Sequence, residues 1–443
     1  MLNPNEIPSK EPMLRVGIIL PEDNFDIIRI EIPVELDYKI ENSDGKIENI
    51  NQKNLTFSAM KDSIGLYEYG NSKSWKIAPL NEYKIAPQSG VKIKDVVAGR
   101  GFHWQKFIDV YLSGSIEISQ VDGNLVLINE LPIEEYLMCV ATSEMSAACP
   151  DALIESQTIA ARSWMLANVE QKHVSIGMDV CNDDCCQRYQ GTTYLSQQSI
   201  AGAMKTHGQV LLFEDKICDA RYSKSCGGAM ETYSTIWGGN ELPYLQNKFD
   251  FIKKEKSDLL PLNTNDKAKQ WINSNPDSFC SPKTIAEEEL PKYLGNVDKK
   301  GTYFRWRFQQ SQLELTTLLN EKLNLDAKNV LSLKALDRGG SGRIINLEIA
   351  YHGKDNLLKK YIVKRDVEIR RVLHKDFMYS SCIDIELRDF KNDIPGLFII
   401  NGAGWGHGAG YCQIGALGMS LNGYSTEEIV YHYFPGSQLK KIY

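Results

Sequence analysis

The sequence predicts an α+β protein in which a β-rich N-terminal part, a helical segment and a mixed C-terminal part surround one cleft. Apolar residues recur near period two over residues 13–129, and the period becomes helical between Leu131 and His173. Mixed strand and helix patterns follow to the C-terminus. A chain of 443 residues, 42% of them apolar, is long enough for two or three units with ordinary cores.

The N-terminal part begins with a short lead. Residues 1–12 are rich in proline, asparagine and charge, which predicts a mobile segment. Strand patterns fill residues 13–129 and include a hairpin whose turn is Asp122-Gly123, a dipeptide that favours tight turns. We therefore expect 13–129 to form the β-rich part.

Three segments follow in the predicted order. Residues 130–249 contain two amphipathic helices, Glu144 and a group of cysteine and histidine residues. Residues 250–300 are charged, contain several prolines and resemble an insertion with local helix. Residues 301–443 return to strands and end with a glycine-dense loop and a helix, which we expect to complete the cleft.

Charge and hydropathy argue against two classes of partner. The chain has 50 basic and 57 acidic residues, a formal charge of −7, whereas proteins that bind nucleic acid backbones usually have a basic excess. No apolar run reaches the roughly 18 residues needed for a membrane span. The first residues show neither a signal peptide nor an anchor, so the chain as it stands is expected to begin in the cytosol.

The first helix places a carboxylate on its apolar face. When residues 133–145 are drawn as a helix, Glu144 lies near the middle of the face that should be buried, and Glu134 lies on the opposite side. Burial favours the neutral form of a carboxyl group, which is the form of a general acid. A structural carboxylate bonded to the backbone or to an arginine remains an alternative.

The second helix is predicted over residues 151–169. It directs Gln157 toward the buried face, where an amide can bind a ligand, contact Glu144 or be a satisfied core group. Arg162 lies on the opposite side and by pattern alone is a solvated or surface-paired arginine.

A group of thiol and imidazole side chains follows the second helix. His173, Cys181, Cys185 and Cys186 lie within fourteen residues, and zinc prefers thiolate and imidazole ligands. A disulfide between Cys181 and Cys186, or simply buried thiols, would also account for them. The other cysteines of the ten are scattered along the chain.

Two glycine-dense segments, 224–228 and 401–418, are the other candidate functional regions. Trp405 and His407 are the only large side chains in the glycine-rich run at 402–410, so they are expected to project into whatever it lines. The phosphate-binding glycine motifs are absent, which argues against a nucleotide site. A tight structural loop is the alternative.

Together these segments resemble the stage II sporulation protein D family, which includes the LytB-type amidase enhancers. The matching runs occur in the family's order over residues 121–443, and the first strand LRVGIIL is also similar. The runs are LVLINELPIEEYLMCVATSEMSAACPDALIESQTIAARSW, CCQRYQG, ARYSKSCGGAMETYSTIWGGNELPYLQ and GWGHGAGYCQIGALGMSLNGYSTEEIVYHYFPG.

The resemblance implies a peptidoglycan lytic transglycosylase that acts on glycan strands stripped of stem peptides. Glu144 would protonate the oxygen between N-acetylmuramic acid and N-acetylglucosamine. The muramic 6-hydroxyl would then attack its own anomeric carbon and give a 1,6-anhydro end. Because the nucleophile belongs to the substrate, one carboxylate suffices where hydrolytic glycosidases usually need a pair.

The resemblance also implies further site residues. Those expected to bind sugar or support the acid are Gln157, Arg162, Tyr222, Ser223, Ser225, His407 and Gln413. The zinc ligands would be His173, Cys181 and Cys186, with Cys185 as an alternative. The chain departs from the family at Cys226 and Cys412, where serine is common.

Two other functions stay open at this stage. One is a non-catalytic protein that binds glycan and stimulates an N-acetylmuramoyl-L-alanine amidase, as in the LytB branch. The other is a zinc-dependent hydrolase at the His173, Cys181 and Cys186 site. The family acts in the cell envelope, in sporulation or in general wall remodelling, whereas the absence of a signal peptide leaves the cytoplasm open.

Overall fold

The computed structural model describes residues 1–4, 6–101, 105–251, 259–295 and 302–443. The chain divides into two compact units. Unit 1 comprises Met1–Asp219, Tyr293–Val297 and Gln438–Tyr443, and unit 2 comprises Ala220–Lys292 and Asp298–Ser437. Both contain helices and sheets, so the predicted α+β class is confirmed.

The strands of the described residues are numbered in chain order. Those before residue 220 are β1 (Met13–Ile19), β2 (Ile27–Glu31), β3 (Tyr38–Asn42), β4 (Ile47–Asn49), β5 (Asn54–Ala59), β6 (Ile64–Leu66), β7 (Gly70–Ser72), β8 (Trp75–Pro79), β9 (Val91–Ala98), β10 (Lys106–Leu112), β11 (Ser115–Val121), β12 (Asn124–Pro132), β13 (Val180–Cys181), β14 (Gln209–Phe213) and β15 (Lys216–Ile217). Those after it are β16 (Tyr222–Ser223), β17 (Arg305–Ser311), β18 (Ala327–Arg338), β19 (Ile344–Gly353), β20 (Leu358–Lys364), β21 (Ile383–Arg388), β22 (Leu397–Ala403), β23 (Tyr411–Cys412) and β24 (Gln438–Lys441).

The α-helices are numbered in the same way. They are α1 (Ile133–Glu144), α2 (Asp151–Ala167), α3 (Gln197–Lys205), α4 (Tyr233–Trp237), α5 (Asn265–Ile272), α6 (Leu290–Tyr293), α7 (Gln312–Leu323), α8 (Asp366–Val372), α9 (Gln413–Leu421) and α10 (Thr426–Tyr433). No helix of the described residues combines the length and the hydrophobicity needed to span a bilayer.

Unit 1 is built on two large sheets. The seven-stranded sheet has the order β13-β1-β12-β11-β8-β3-β4, and the six-stranded sheet has the order β10-β9-β2-β5-β6-β7. Strand β12 pairs antiparallel with β1 and runs directly into α1. The parallel pairing of Gly17 with Cys181 brings β13 to the edge of the same sheet. The seven-stranded sheet therefore positions both the start of α1 and the loop after β13.

Unit 2 contains smaller sheets. Strands β17, β22 and β21 form one antiparallel sheet, and β18, β19 and β20 form another. Their apolar faces share a core with α7 and α8. A short parallel pair joins β16 to β23, with Ser223 opposite Cys412. The two glycine-dense segments therefore meet side by side.

The N-terminal lead makes specific hydrogen bonds. The amide of Leu2 donates to Asp179 (2.7 Å), its carbonyl accepts from Asn168 (3.0 Å), and the amide of Ile133 donates to the carbonyl of Pro12 (3.0 Å). The composition of the lead predicts a mobile segment. It does not reveal these hydrogen bonds, because Asp179 and Asn168 are far from the lead in sequence.

Candidate functional site

Helix α1 places Glu144 at its C-terminal end. Pro132 precedes the helix and Glu134 and Glu135 lie in its first turn, where carboxylates favour helix formation. The helix ends at Glu144 because Met145 adopts an extended conformation. The Glu144 side chain is buried, with 7% of its surface exposed, as the helical pattern predicts.

The loop after β13 supplies a partner for this carboxyl group. The backbone amide of Arg188 donates a hydrogen bond to Glu144 Oε1 at 3.1 Å. The Arg188 side chain forms an ion pair with Asp184, with Nε and Oδ1 3.1 Å apart. Burial raises the pKa of Asp184 above its ordinary value, and the positive charge of Arg188 opposes this shift. Asp184 is thus connected to Glu144 through Arg188, whose side chain it pairs with and whose backbone amide donates to Glu144.

The position of this loop is set by Gln187. Its Oε1 accepts a hydrogen bond from the hydroxyl of Tyr136 in α1 (3.1 Å), and its Nε2 donates to the carbonyl of Ala161 in α2 (3.1 Å). The ring of Tyr189 stacks on Tyr136, with centroids 4.9 Å apart. Sequence reasoning missed Asp184, Gln187 and Arg188, although Gln187 and Arg188 belong to the recognised CCQRYQG run.

Glu134 and Arg162 correct the sequence interpretation of the two helices. The pattern assigns both to outward-facing surfaces, but Glu134 is 4% exposed and Arg162 is fully buried. Arg162 donates to both carboxylate oxygens of Glu134, at 2.8 and 2.6 Å. The hydroxyl of Tyr443 and the amide of Gly208 also donate to Glu134. These partners come from distant parts of the chain, so helical periodicity does not reveal them.

The ion pair with Glu134 gives Arg162 a structural role in unit 1. Its Nη1 also donates to the carbonyl of Gln209 in β14 at 3.0 Å, so the side chain connects α1, α2 and β14. Gln157 is 1% exposed on α2, on the buried face where the pattern places it. Contact of either residue with substrate stays a prediction.

The predicted metal-binding side chains come together in unit 1. One donor atom from each of His173, Cys181, Cys185 and Cys186 lies within 4.8 Å of the others. The sulfurs of Cys181 and Cys185 are 3.0 Å apart, and no disulfide joins Cys181 to Cys186. Hydrogen bonds with Cys181 and Cys186 and the nearby His173 hold the pKa of the Cys185 thiol below its ordinary value. The cluster can therefore hold a metal, and Cys185 belongs to it.

In unit 2 the structure brings together four other predicted residues, Tyr222, Ser223, Ser225 and His407. Tyr222 and Ser223 form β16, and an isolated antiparallel bridge pairs Ser225 with Trp405. The hydroxyl of Ser223 accepts the amide of Gly408 at 3.2 Å. Ser223 is 7% exposed and Ser225 is fully buried, whereas Tyr222 is partly exposed. Both serines therefore support the glycine-dense loop from inside.

His407 is held by the backbone through both ring nitrogens. Its Nδ1 accepts the amide of Ala409 (3.1 Å), so the ring proton lies on Nε2, which donates to the carbonyl of Tyr222 (2.9 Å). The ring packs edge-to-face with Trp237 at 4.8 Å. Burial, together with the positive charges of Arg221, Arg343 and Arg370, holds the pKa of His407 well below its ordinary value. A neutral imidazole therefore holds the loop.

Acid should destabilise unit 2 through His407. The unfolded chain protonates this ring below about pH 6.5 and the folded protein does not, so stability falls as pH drops by up to about 1.4 kcal/mol per pH unit. We expect the thermal midpoint of wild type to fall more steeply from pH 7.5 to 5.5 than that of His407→Gln. His207→Gln, at a half-exposed surface histidine, should keep the wild-type slope. Equal slopes in all three proteins would contradict this account.

The remaining predicted residue, Gln413, begins α9 and is 2% exposed. The residue before it, Cys412, and Cys226 are the two positions that depart from the family's serines. Both lie in a buried cluster with Asp250 and Cys280. Sequence reasoning missed this cluster, because its members are spread over 186 residues with no ligand spacing motif.

Comparison with known protein families gives two matches. Residues 121–213 match the model of the stage II sporulation protein family. Residues 231–410 match a domain of unknown function (DUF8618). The second match covers residues 250–300, which the sequence pattern treats as an insertion.

Relatives extend the similarity over most of the chain. An uncharacterised protein of Brachyspira hyodysenteriae is 24% identical over 323 residues, 73% of this chain and 70% of that protein. An amidase enhancer of Bacillus subtilis is 24% identical, covering 68% of this chain but only 39% of the relative. Stage II sporulation protein D of Bacillus amyloliquefaciens is 22% identical, and the match covers 71% of this chain and 76% of the relative. The resemblance predicted from the sequence motifs is confirmed.

Proposed function

We propose that this chain, which carries a stage II sporulation protein domain at residues 121–213, is a lytic transglycosylase of peptidoglycan. The proposed substrate is a glycan strand stripped of its stem peptides. The bond cleaved joins N-acetylmuramic acid to N-acetylglucosamine, and the new end is 1,6-anhydro-N-acetylmuramic acid. The observation that carries the proposal is the buried Glu144 side chain, which the Arg188 amide orients within that domain.

In the proposed reaction Glu144 donates its proton to the glycosidic oxygen as the bond to the muramic anomeric carbon breaks. The muramic 6-hydroxyl oxygen forms the new bond to that carbon, and its proton passes to Glu144. The carboxyl group is thus regenerated in the form in which it began. No water is consumed, so a second carboxylate is not required to activate one.

We assign Asp184 and Arg188 to positioning. The Asp184–Arg188 ion pair and the two hydrogen bonds of Gln187 fix the peptide that donates to Glu144 Oε1. An acid held by backbone stays oriented as the proton leaves and returns, and a preorganised group avoids the cost of reorganisation.

We propose that the glycine-dense surface of unit 2 contributes to glycan binding. Tyr222, Trp405 and His407 are each partly exposed, and the ring of His407 donates to the Tyr222 carbonyl. Aromatic faces of this kind pack against apolar faces of sugar rings. Ser223, Ser225 and Gln413 are buried, so we place them behind this surface as its support. Peptidoglycan lies outside the cytoplasm, and we propose that the protein acts there.

We propose that His173, Cys181, Cys185 and Cys186 bind zinc, which fixes the loop ending at Arg188. His173→Ala should remove one equivalent of metal and lower turnover by about 10²-fold, because small displacements of catalytic groups have effects of this size. The products should still carry anhydro ends. The matched control is His207→Ala, measured by the same metal analysis and turnover assay. Unchanged turnover after the metal is lost would contradict this role. Wild-type products with reducing ends, lost together with the metal in His173→Ala, would favour a zinc-dependent hydrolase.

A second candidate function rests on the amidase enhancer of Bacillus subtilis, whose similarity covers 68% of this chain. Under it, the protein binds glycan and stimulates an N-acetylmuramoyl-L-alanine amidase without cutting the strand. Amidase stimulation would then be the same for wild type and Glu144→Gln. Loss of stimulation in that variant would argue against this candidate.

The experiment that tests the proposal is mass spectrometry of the products formed from denuded peptidoglycan. Wild type should release fragments that are lighter by one water molecule than the products of hydrolysis, because an anhydro end replaces a reducing end. Fragments with reducing ends would indicate hydrolysis. Binding of glycan without any fragments would favour the amidase enhancer.

A further inference from the structure

Four buried side chains from separate segments of unit 2 meet at one point. They are Cys226, Asp250, Cys280 and Cys412, each with at most 3% of its surface exposed. One donor atom from each lies within 4.8 Å of the others. We propose that these four residues bind a zinc ion in a closed structural site. This site is separate in sequence from the His173 cluster, and it does not depend on the proposed reaction.

The distances fit a tetrahedral metal site. Zinc about 2.3 Å from each of two thiolates separates their sulfurs by about 3.8 Å, and a thiolate from a carboxylate oxygen by about 3.5 Å. The sulfurs of Cys226 and Cys280 are 3.7 Å apart, and Cys226 Sγ lies 3.6 Å from Asp250 Oδ2. A disulfide would require a separation of about 2.05 Å. Both distances therefore match those expected between ligands of one ion, and neither matches a disulfide.

The chemistry of Asp250 favours the same conclusion. A fully buried carboxylate next to three thiols is costly unless a cation compensates its charge. Its Oδ1 atom interacts with His432 Nε2 (2.9 Å) and with the Tyr433 hydroxyl (3.1 Å), while Oδ2 is the oxygen nearest the Cys226 sulfur. Partners of this kind, hydrogen-bonded to the oxygen that does not bind the ion, commonly orient carboxylate ligands.

The backbone around Cys412 is also suited to a bound thiolate. Its sulfur lies at the N-terminus of α9 and accepts the amides of Cys226 (3.2 Å) and Gly415 (3.3 Å). Backbone amides that point at a sulfur ligand commonly hold it in place around a metal ion. A Cβ atom on Gly415 would clash with the hydroxyl of Tyr433 and with Asp250 Oδ2. Glycine lets the helix approach the cluster this closely.

A metal at this site would join the segments that form the glycine-dense surface. Cys226 follows Ser225, Cys412 precedes Gln413, and β16 and β23 pair at this point. The amide of Phe279 donates to the carbonyl of Asp250 (2.9 Å), which links the other two ligand segments to each other. The ion would thus anchor Asp250 and Cys280 to the proposed glycan-binding loops.

The test is the metal content of the 443-residue chain, determined by elemental mass spectrometry after gel filtration in metal-free buffer. In a His173→Ala/Cys181→Ser background, which lacks the first cluster, we expect one zinc per chain. Adding Cys280→Ser or Asp250→Asn should remove it. Adding Cys382→Ser should retain it, because this buried thiol of the same unit contacts the Ser341 carbonyl at 3.4 Å outside both clusters.

Cobalt substitution gives a readout that does not depend on folding of the ligand variants. In the same background, Co²⁺ should produce the strong near-ultraviolet absorption of cobalt–thiolate bonds and the visible bands of tetrahedral coordination. A natively folded background protein that holds no zinc and shows no cobalt–thiolate absorption would overturn the proposal. A Cys226–Cys280 disulfide found by peptide mapping would overturn it as well. Neither readout depends on turnover, so failure of the proposed reaction would not be mistaken for failure of this site.

Discussion

Replacing Glu144 with glutamine should lower the rate of anhydro-end formation by at least about 10²- to 10⁴-fold, the usual contribution of a general acid. Glutamine has the same shape and its Oε1 can still accept the amide of Arg188, so folding and glycan binding should persist. The measurement is turnover of denuded peptidoglycan, followed by mass spectrometry, together with a glycan pull-down.

The matched control is Glu155→Gln. Glu155 is 6% exposed on the neighbouring helix α2, almost the same as Glu144, but its carboxylate pairs with the exposed Lys205 at 2.7 Å. Turnover should stay within a few-fold of wild type in this variant. If Glu144→Gln kept wild-type turnover, or if both variants lost it equally, Glu144 would not be the acid.

Glu134→Gln should destabilise the contact between α1 and α2 by about 3–5 kcal/mol, because it leaves the fully buried charge of Arg162 without its partner. Hydrogen exchange of the α1 and α2 amides measures this locally. Replacing both partners by apolar residues, as Glu134→Leu/Arg162→Met, should restore much of the protection. A change below about 1 kcal/mol in Glu134→Gln would contradict a stabilising role for the pair.

The same pair predicts a pH dependence. Burial alone would raise the pKa of Glu134. The charge and hydrogen bonds of Arg162, together with hydrogen bonds from Tyr443 and Gly208, have the larger effect and lower this pKa. The folded protein therefore binds fewer protons, and the stabilisation is complete above the ordinary glutamate pKa near 4.5 and is lost as pH falls below it. The difference in protection between wild type and Glu134→Gln should shrink below that pH.

Local periodicity was sufficient to predict the helices that carry the acid. Helix α1 was expected over residues 133–145 and α2 over residues 151–169, and both lie within two residues of those bounds. The burial of Glu144 followed from its place on the apolar face. Periodicity failed for Glu134 because charged residues in a helical pattern indicate a solvent-exposed face. The groups that bury Glu134, among them Tyr443 and Gly208, are distant in sequence.

The two cysteine clusters show the same limit. His173, Cys181, Cys185 and Cys186 are close in sequence, so a metal site was predictable. The second cluster forms only when β16 pairs with β23 and the loop containing Cys280 returns to Asp250. In the sequence, Cys226 and Cys412 appeared only as departures from serine.

The origin of the oxygen at the new muramic end tests the central claim most directly. Asp184 pairs with the Arg188 side chain, and the Arg188 amide donates to Glu144. Hydrolytic glycosidases use two carboxylates, so hydrolysis has to be distinguished from catalysis by a single acid. Denuded peptidoglycan should be digested in water enriched in oxygen-18, and the fragments analysed by mass spectrometry. We predict anhydro-muramic ends with no heavy oxygen, because the 6-hydroxyl of the substrate forms the new bond. Reducing ends that carry oxygen-18 would contradict the account and identify the protein as a hydrolase.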